Sequence, residues 1–152
     1  MPTYAGTRIG FTPSTSLDNW TLFASAAGDV GEIIAIGWGG ELTTSTGYRT
    51  RWVRPTTAGI TPSALVPEDH TPGYSTPLLE IDATFSTDPV IPASPTALFA
   101  QSWNAHGGLG YVALPLAAPW RVINGVLQGQ ISCRNDAGVD ANGSSYSCTW
   151  SE

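Results

Sequence analysis

The sequence predicts an all-β fold: an antiparallel β-sandwich, jelly-roll-like, with about eight to ten short strands. Ten short apolar or aromatic runs recur along the chain, each bounded by Gly, Pro, Asn, Asp or Ser clusters. No stretch keeps a 3.6-residue period for three helical turns. Because the 152 residues contain no internal repeat and no linker, we expect a single domain over residues 1–152.

The runs indicate two kinds of strand. Residues 79–85, LEIDATF, alternate apolar and polar side chains, which is typical of a half-buried strand. Residues 32–38, EIIAIGW, are almost continuously apolar, which indicates a strand covered on both faces. In chain order the ten runs are TRIGF, WTLFA, VGEIIAIGW, YRTRWV, LLEIDATF, TALFAQSW, LGYVAL, WRVINGVL, GQISCR and SYSCTW.

Prolines interrupt the strands in the middle of the chain. Pro62, Pro67, Pro72 and Pro77 fall at every fifth position, which predicts a long, ordered loop from residue 61 to residue 77. Loops of this length are unusual in a small domain and are often functional. We expect this loop either to contact a partner or to serve as a plain crossover between the two sheets.

Composition removes several functional classes. The chain has no lysine, so P-loop phosphate binding, Schiff-base catalysis and pyridoxal chemistry are excluded. A net charge of −6 argues against nucleic-acid binding. No apolar run approaches 18 residues and the N-terminus has no signal-peptide pattern, so we expect a soluble protein, made in the cytoplasm, that does not interact with membranes.

Three of the six arginines lie close together in YRTRWVRP. Arg49 and Arg51 are two residues apart, so on a strand their guanidinium groups project from one face. Such a pair suits carboxylates on a partner or on a second copy of the chain. The alternative is an internal ion pair with Glu41 or Glu32.

Tryptophan is also frequent, with six residues in the chain. Trp and Arg are enriched at binding hot spots, although most tryptophans of a small β protein belong to its core. We expect one or two at an interface and the rest buried. Together with Arg49 and Arg51, we take Trp52, Arg54 and the proline-rich loop as the candidate partner-contact residues.

The sequence offers no catalytic constellation and no cofactor motif. His106 lies in a glycine turn, where a bond to the backbone is the expected role, and His70 has no second histidine at ligand spacing. Glu80 and Asp82 share a strand face, which is ordinary on a solvent-exposed strand. We therefore predict no enzyme activity, no catalytic residue, no resident metal and no cofactor.

The two cysteines flank a polar loop. If the strands around residues 135–143 pair as a hairpin, Cys133 and Cys148 lie opposite each other, near enough for a bridge. Cytoplasmic synthesis favours two reduced thiols, and a disulfide formed later outside the cell is the alternative. The loop also holds four oxygen-bearing side chains that could bind a cation, although turns use the same residues: Asn135, Asp136, Asp140 and Asn142.

Three segments are similar to short bacteriophage proteins that are associated with virion genes: GGELTTSTGYRTRWVRPTT at 39–57, SWNAHGG at 102–108 and QISCRNDAGVDANGSSYSCTW at 130–150. Among virion components, the chain most resembles the small β-sandwich decoration, or cement, proteins of capsids. This resemblance implies a homotrimer on the capsid exterior that clamps subunits of the major capsid protein.

Two other functions stay open at this point. A tail or baseplate module, or a glycan-binding head on a fibre, would use the same β-sandwich to bind sugars through Trp and Tyr rings. A small hydrolase would need a pair of carboxylates that converge in a groove. We rank the decoration protein first, the tail or receptor-binding module second and the enzyme third.

Overall fold

The computed structural model describes residues 2–15, 18–24, 26–57, 59–65, 68–69, 77–92, 97–115, 120–124, 129–137 and 143–152. Over these residues all regular structure is strand, and no helix is present that could span a membrane. The strands are β1 (Thr3–Phe11), β2 (Trp20–Ala24), β3 (Val30–Gly40), β4 (Gly47–Val53), β5 (Ile60–Leu65), β6 (Glu68–Asp69), β7 (Leu79–Thr87), β8 (Phe99–Asn104), β9 (Leu109–Ala113), β10 (Trp120–Ile123), β11 (Gln130–Ala137) and β12 (Ser144–Ser151).

The strands form two antiparallel sheets. Sheet A has the order β10-β3-β12-β1-β6, and β9 pairs with the part of β3 beyond β10. Sheet B has the order β5-β7-β2-β11-β4-β8. The predicted all-β, antiparallel fold is confirmed, and each of the ten apolar runs contributes a strand.

The last two strands of the chain pair with the first four. In sheet A the last strand, β12, lies between β1 and β3, and in sheet B its predecessor, β11, lies between β2 and β4. The first four strands and the last two therefore alternate between the sheets, as they do when a long antiparallel pair folds over on itself. The jelly-roll connectivity stays a prediction, and this alternation favours it.

Both sheets contribute side chains to one core that is rich in aromatic rings. The indole of Trp20 meets that of Trp52 edge to face with 4.8 Å between ring centroids, and Trp52 in turn lies 6.4 Å from the Tyr146 ring. Trp52 belongs to sheet B and Tyr146 to sheet A, so this contact joins the two sheets. Glycine allows the close approach elsewhere: a Cβ at Gly6 would lie 1.7 Å from Cδ1 of Ile81 on the opposite sheet.

The proline-rich segment departs from the prediction. Residues 60–65 and 68–69 are strands β5 and β6 rather than loop, so the long loop is wrong over these residues. Pro62 lies opposite Phe85 in β5, and β5 is the edge of sheet B, where a residue without an N–H is tolerated. Pro67 and Pro72 lie outside the described residues.

The predicted cysteine hairpin is also wrong. Cys133 lies on β11 in sheet B and Cys148 on β12 in sheet A, because each strand pairs with the early strands of its own sheet. Both thiols are buried in the shared core and unbridged. Burial raises the pKa of both thiols above the usual value, and the Asp18 carboxylate adds a smaller increase to the pKa of Cys133.

Candidate functional site

The outer face of sheet A is a flat surface of small residues. One row across it runs from Tyr111 on β9 to Gly37 on β3, Ser147 on β12 and Thr7 on β1. Parallel rows carry more glycine, alanine, serine and threonine. We call this surface the open face, and its members are Ala5, Thr7, Ile9, Ala35, Gly37, Gly39, Leu109, Tyr111, Ala113, Ser145, Ser147 and Thr149.

A groove of about 210 Å³ crosses the open face. Its floor is formed by Gly37 and Gly39, hydroxyls of Ser145 and Ser147 lie on one side, and residues of β9 form the other side. A Cβ at position 37 would lie 2.5 Å from Oγ of Ser147, whereas a Cβ at position 39 would meet nothing within 4 Å. Glycine at position 37 therefore allows the serine to lie close to β3.

Large apolar side chains of the open face are in contact with solvent: Leu109 and Tyr111 line the groove, and Ile9 lies two residues beyond Thr7, which also lines it. Leu109 is 86% exposed, Ile9 is 71% exposed and Tyr111 is 67% exposed. An isolated exposed apolar side chain needs no explanation, but several around one preformed groove are typical of a contact surface. At the end of β1 the Glu41 carboxylate accepts a hydrogen bond from the Gly10 N–H at 3.3 Å and one from the Ser145 hydroxyl.

The outer face of sheet B is covered by other parts of the same chain. Thr21, Phe23 and Ser132 on this face are buried. The Gln130 side chain bonds to both the N–H and the carbonyl of Gly59, at 2.9 and 3.3 Å. The Arg51 Nη1 donates to the Pro92 carbonyl at 3.1 Å. The chain around residues 59 and 92 therefore lies over this sheet.

An arginine cluster lies at the margin of that cover, with Arg51 beneath it and Arg49 exposed. The Asp136 carboxylate is 2.7 Å from Nε of Arg51, 3.5 Å from Nε of Arg49 and 3.5 Å from Nη2 of Arg134. Arg49 and Arg51 share one face, as predicted, and their ion pair is internal. Its partner is Asp136 and neither Glu41 nor Glu32; Glu32 instead pairs with Arg121 at 2.7 Å.

The structure places the predicted contact residues in different environments. The side chains of Arg51 and Trp52 are buried inside the chain, so neither offers a surface to a partner. The Arg49 side chain is 55% exposed. Arg54 is half-buried, donates to the Arg121 carbonyl at 2.6 Å, and has its pKa lowered by burial. Pro77 is partly buried, and contact through Arg49, Arg54 and the prolines stays a prediction.

The loop considered as a possible cation site does not begin at residue 135. Asn135 and Asp136 belong to β11, and consecutive strand residues point to opposite faces. The Asn135 Oδ1 faces the core, where it accepts hydrogen bonds from Asn19, Thr50 and Tyr146 at 3.2, 2.9 and 2.6 Å. Asp140 and Asn142 lie outside the described residues. Within the described part of the chain, no three His, Cys, Asp or Glu residues are arranged to hold a metal.

His106 behaves as expected for a turn residue. Its Nδ1 lies 3.0 Å from the Leu42 carbonyl, and its backbone N–H donates to the Asn104 side chain at 2.8 Å. Four of the six tryptophans are buried, while Trp103 and Trp120 are partly buried and pack against the core. The prediction that most tryptophans are core residues is confirmed.

The sequence did not single out Ile9, Leu109 or Tyr111. Their runs were recognised as strands, but alternation does not show which outward face the rest of the chain will cover. The available signal was glycine at alternate positions 37 and 39 in a strand otherwise rich in isoleucine, which indicates close backbone approach.

Known protein families give no assignment for this chain: no family model matches it, and no curated protein sequence matches it significantly. What the structure offers towards a function is the contrast between the two outer faces, one with an exposed groove and one covered by the chain.

Proposed function

We propose that this chain is a bacteriophage structural protein that decorates the outside of the capsid and stabilises the shell of the major capsid protein. It acts as a binding module without catalysis. The observation that carries this proposal is the open face of sheet A, with Ile9, Leu109 and Tyr111 exposed around a groove floored by glycine. A second capsid-facing element is the proline-rich segment that ends at Pro77.

The open face suits a protein partner for two physical reasons. Its strands are held in one sheet, β3 between β12 on one side and β9 and β10 on the other, so little conformational entropy is lost when it binds. Its glycine, alanine and serine side chains are short, so a partner can approach the backbone closely while the three large apolar side chains provide the contact area.

The chemistry of the surface also fits attachment to a preassembled shell. Charged residues make up only 12% of the chain, so contacts must rely on apolar area and on hydroxyl and backbone hydrogen bonds. Such contacts depend on shape and are hardly weakened by salt. In this proposal the protein is made in the host cytoplasm, joins the virion on the capsid exterior, and binds as a homotrimer.

A tail, baseplate or receptor-binding module that binds a glycan is the second candidate. The observation that favours it is the position of the exposed Tyr111 ring beside hydroxyls of Thr7, Ser145 and Ser147 in the same groove. Sugars stack on aromatic rings and bond to hydroxyls. The same groove therefore serves both candidates, and the number of copies in a particle separates them.

The first test is the copy number of the chain in purified phage particles, measured by quantitative mass spectrometry against the major capsid protein. The proposal predicts hundreds of copies in a simple ratio to the capsid subunit. A dozen or fewer copies would support the tail or baseplate candidate instead. Absence from the particle would overturn both.

The second test addresses the open face directly. Ile9→Glu places a charge among the exposed apolar residues, and we expect at least a tenfold loss of binding to particles that lack the protein. The matched control is Val30→Glu, because Val30 is also an exposed apolar strand residue of sheet A but lies at the β10 end of β3, whereas Ile9 is two residues from Thr7 in the groove. Equal binding by both variants would contradict the assignment of the open face.

A further inference from the structure

A long stretch of the chain carries no charge. From residue 89 to residue 120 there is no Asp, Glu, Lys or Arg. At the overall charged content of 12%, a stretch of this length would contain about four charged residues. We call residues 89–120 the uncharged segment.

The uncharged segment supplies two edge strands. β8 is the last strand of sheet B and pairs with β4 on one side, while β9 pairs only with β3 among the described strands of sheet A. The two strands are consecutive, joined by the turn at residues 105–108. One side of the sandwich therefore presents an edge from each sheet.

Edge strands normally carry features that block further pairing, such as a lysine, a proline, an inward-pointing charge or a bulge. β8, FAQSWN, has none of these, and its register with β4 is continuous over six pairs. Its neighbourhood is apolar as well, because Leu98, Leu109 and Tyr111 are exposed within the same segment. Such an edge is prepared for pairing with another strand.

The register shows which backbone groups point away from β4. The Ala105 N–H donates to the Thr46 carbonyl at 2.9 Å, and inward and outward residues alternate along an antiparallel strand. The N–H and carbonyl groups of Ala100 and Ser102 therefore face the open side of β8. Of these groups, the Ser102 carbonyl already accepts a hydrogen bond from Nε2 of Gln101 at 2.7 Å, a side-chain contact that an incoming strand would replace.

We infer that this edge is the contact between copies of the chain, with β8 pairing to a strand of the neighbouring copy. The net charge of the chain indicates which partner this edge binds. Each copy carries a net charge of −6, so two copies repel each other least across a surface without carboxylates. A basic partner would instead be attracted to the acidic parts of the surface, which lie outside the uncharged segment.

This inference rests on the proposed function, since it names the contact through which the copies of a decoration protein associate. It concerns the β8 edge of sheet B, which adjoins the surface proposed to meet the capsid, and Leu109 and Tyr111 on β9 border both. β8 belongs to sheet B, whereas Ile9 and the groove belong to sheet A. The two contacts can therefore be disrupted one at a time.

The test is sedimentation velocity of the full chain and of three variants. Ala100→Pro removes an N–H from the open side of β8 and leaves its bonds to β4 in place, so the fold should persist. Gln101→Glu adds one charge to the exposed edge with almost no change in size. We expect wild type and the control Val30→Glu to sediment as one oligomer, and both β8 variants to associate at least tenfold more weakly with unchanged far-ultraviolet circular dichroism.

A wild-type chain that sediments as a monomer at 100 µM or so would overturn the inference, because interfaces of biological size associate well below that concentration. It would also be overturned if Gln101→Glu and Ala100→Pro both kept the full oligomer. If the β8 variants lose the oligomer but wild type does not bind particles, the inference stands and the proposed function is rejected. If wild type binds particles but the oligomer is unaffected by the β8 variants, the inference is rejected and the proposed function stands.

Discussion

The outer faces of the two sheets are built in opposite ways. On sheet B, Arg51, Ser132 and Thr21 point outwards and are nevertheless buried, because other parts of the chain lie over them. On sheet A the outward positions are small residues and the large side chains around them, such as Leu109, are exposed. In the described part of the chain both sheets have six strands, and they share one core.

This difference shows where the chain uses its own polar groups and where it leaves room for another molecule. The covered face of sheet B contains ion pairs and hydroxyl contacts that are completed within the chain, such as the Thr21 and Ser132 hydroxyls 2.7 Å apart. The open face has a groove, and most of its members keep contact with solvent, although Ala35 and Gly37 at its centre are buried. Substitutions on the covered face should therefore change stability, and those on the open face should change binding.

The largest effect should follow removal of the carboxylate at the centre of the arginine cluster. Asp136→Ala leaves the buried guanidinium of Arg51 without its partner at 2.7 Å, and we expect a loss of about 3–5 kcal/mol in the free energy of unfolding. The control is Glu32→Ala, which breaks the exposed pair with Arg121 and should cost less than about 1 kcal/mol. Urea denaturation measures both, and similar costs for the two variants would mean that the outer face of sheet B is not covered.

A second prediction concerns the two buried cysteines, one on the inner face of each sheet, which should make similar contributions to the pH dependence of stability. Burial raises the pKa of Cys133 and Cys148, so the folded chain keeps both protons at a pH where the unfolded chain, with a thiol pKa of about 8.5, loses them. The unfolded state then binds fewer protons, and stability falls as the pH rises above about 8.5.

At pH 9.5 this loss should be about 1.4 kcal/mol for each thiol. Urea denaturation at pH 7.5 and 9.5 measures the loss. Cys133→Ala and Cys148→Ala should each remove about half of the pH dependence, although each will also lower stability at both values by leaving a small cavity. An unchanged pH dependence in either variant would show that its thiol is accessible to water.

The smallest of the three effects separates the inner and outer faces of sheet A. Gly6→Ala places a methyl group against Ile81 in the core and should cost about 1–3 kcal/mol. Gly39→Ala places the same group where nothing lies within 4 Å, so stability should be unchanged or slightly higher. Thermal unfolding measures both. A destabilised Gly39→Ala would indicate that something covers the open face.

The sequence predicted the strands better than it predicted their partners. All ten apolar runs are strands, because alternation and turn residues are local signals. β5 and β6 were missed, since prolines argue against a strand unless it is known to lie at a sheet edge. The hairpin around the cysteines was assigned from symmetry in the sequence, whereas the strands separate into different sheets.

The candidate site was harder to predict for the same reason. The partner of Arg51 is Asp136, 85 residues along the chain, and no local pattern connects them. The alternation of YRTRWV correctly placed Arg49 and Arg51 on one face, but it could not show that the face is covered at Arg51 and open at Arg49. Which outward face remains exposed depends on where the long connections lie, and that is a property of the whole fold.

The most direct measurement is hydroxyl-radical footprinting of the chain, free and bound to particles, with modification read by mass spectrometry at Ile9, Leu109 and Tyr111. Val30 and Leu78, which are exposed elsewhere, serve as internal controls. We expect the three side chains of the open face to be modified in the free chain and protected on the particle, while the controls react equally in both. Undiminished modification of the open face on the particle, with protection at other sites, would contradict it.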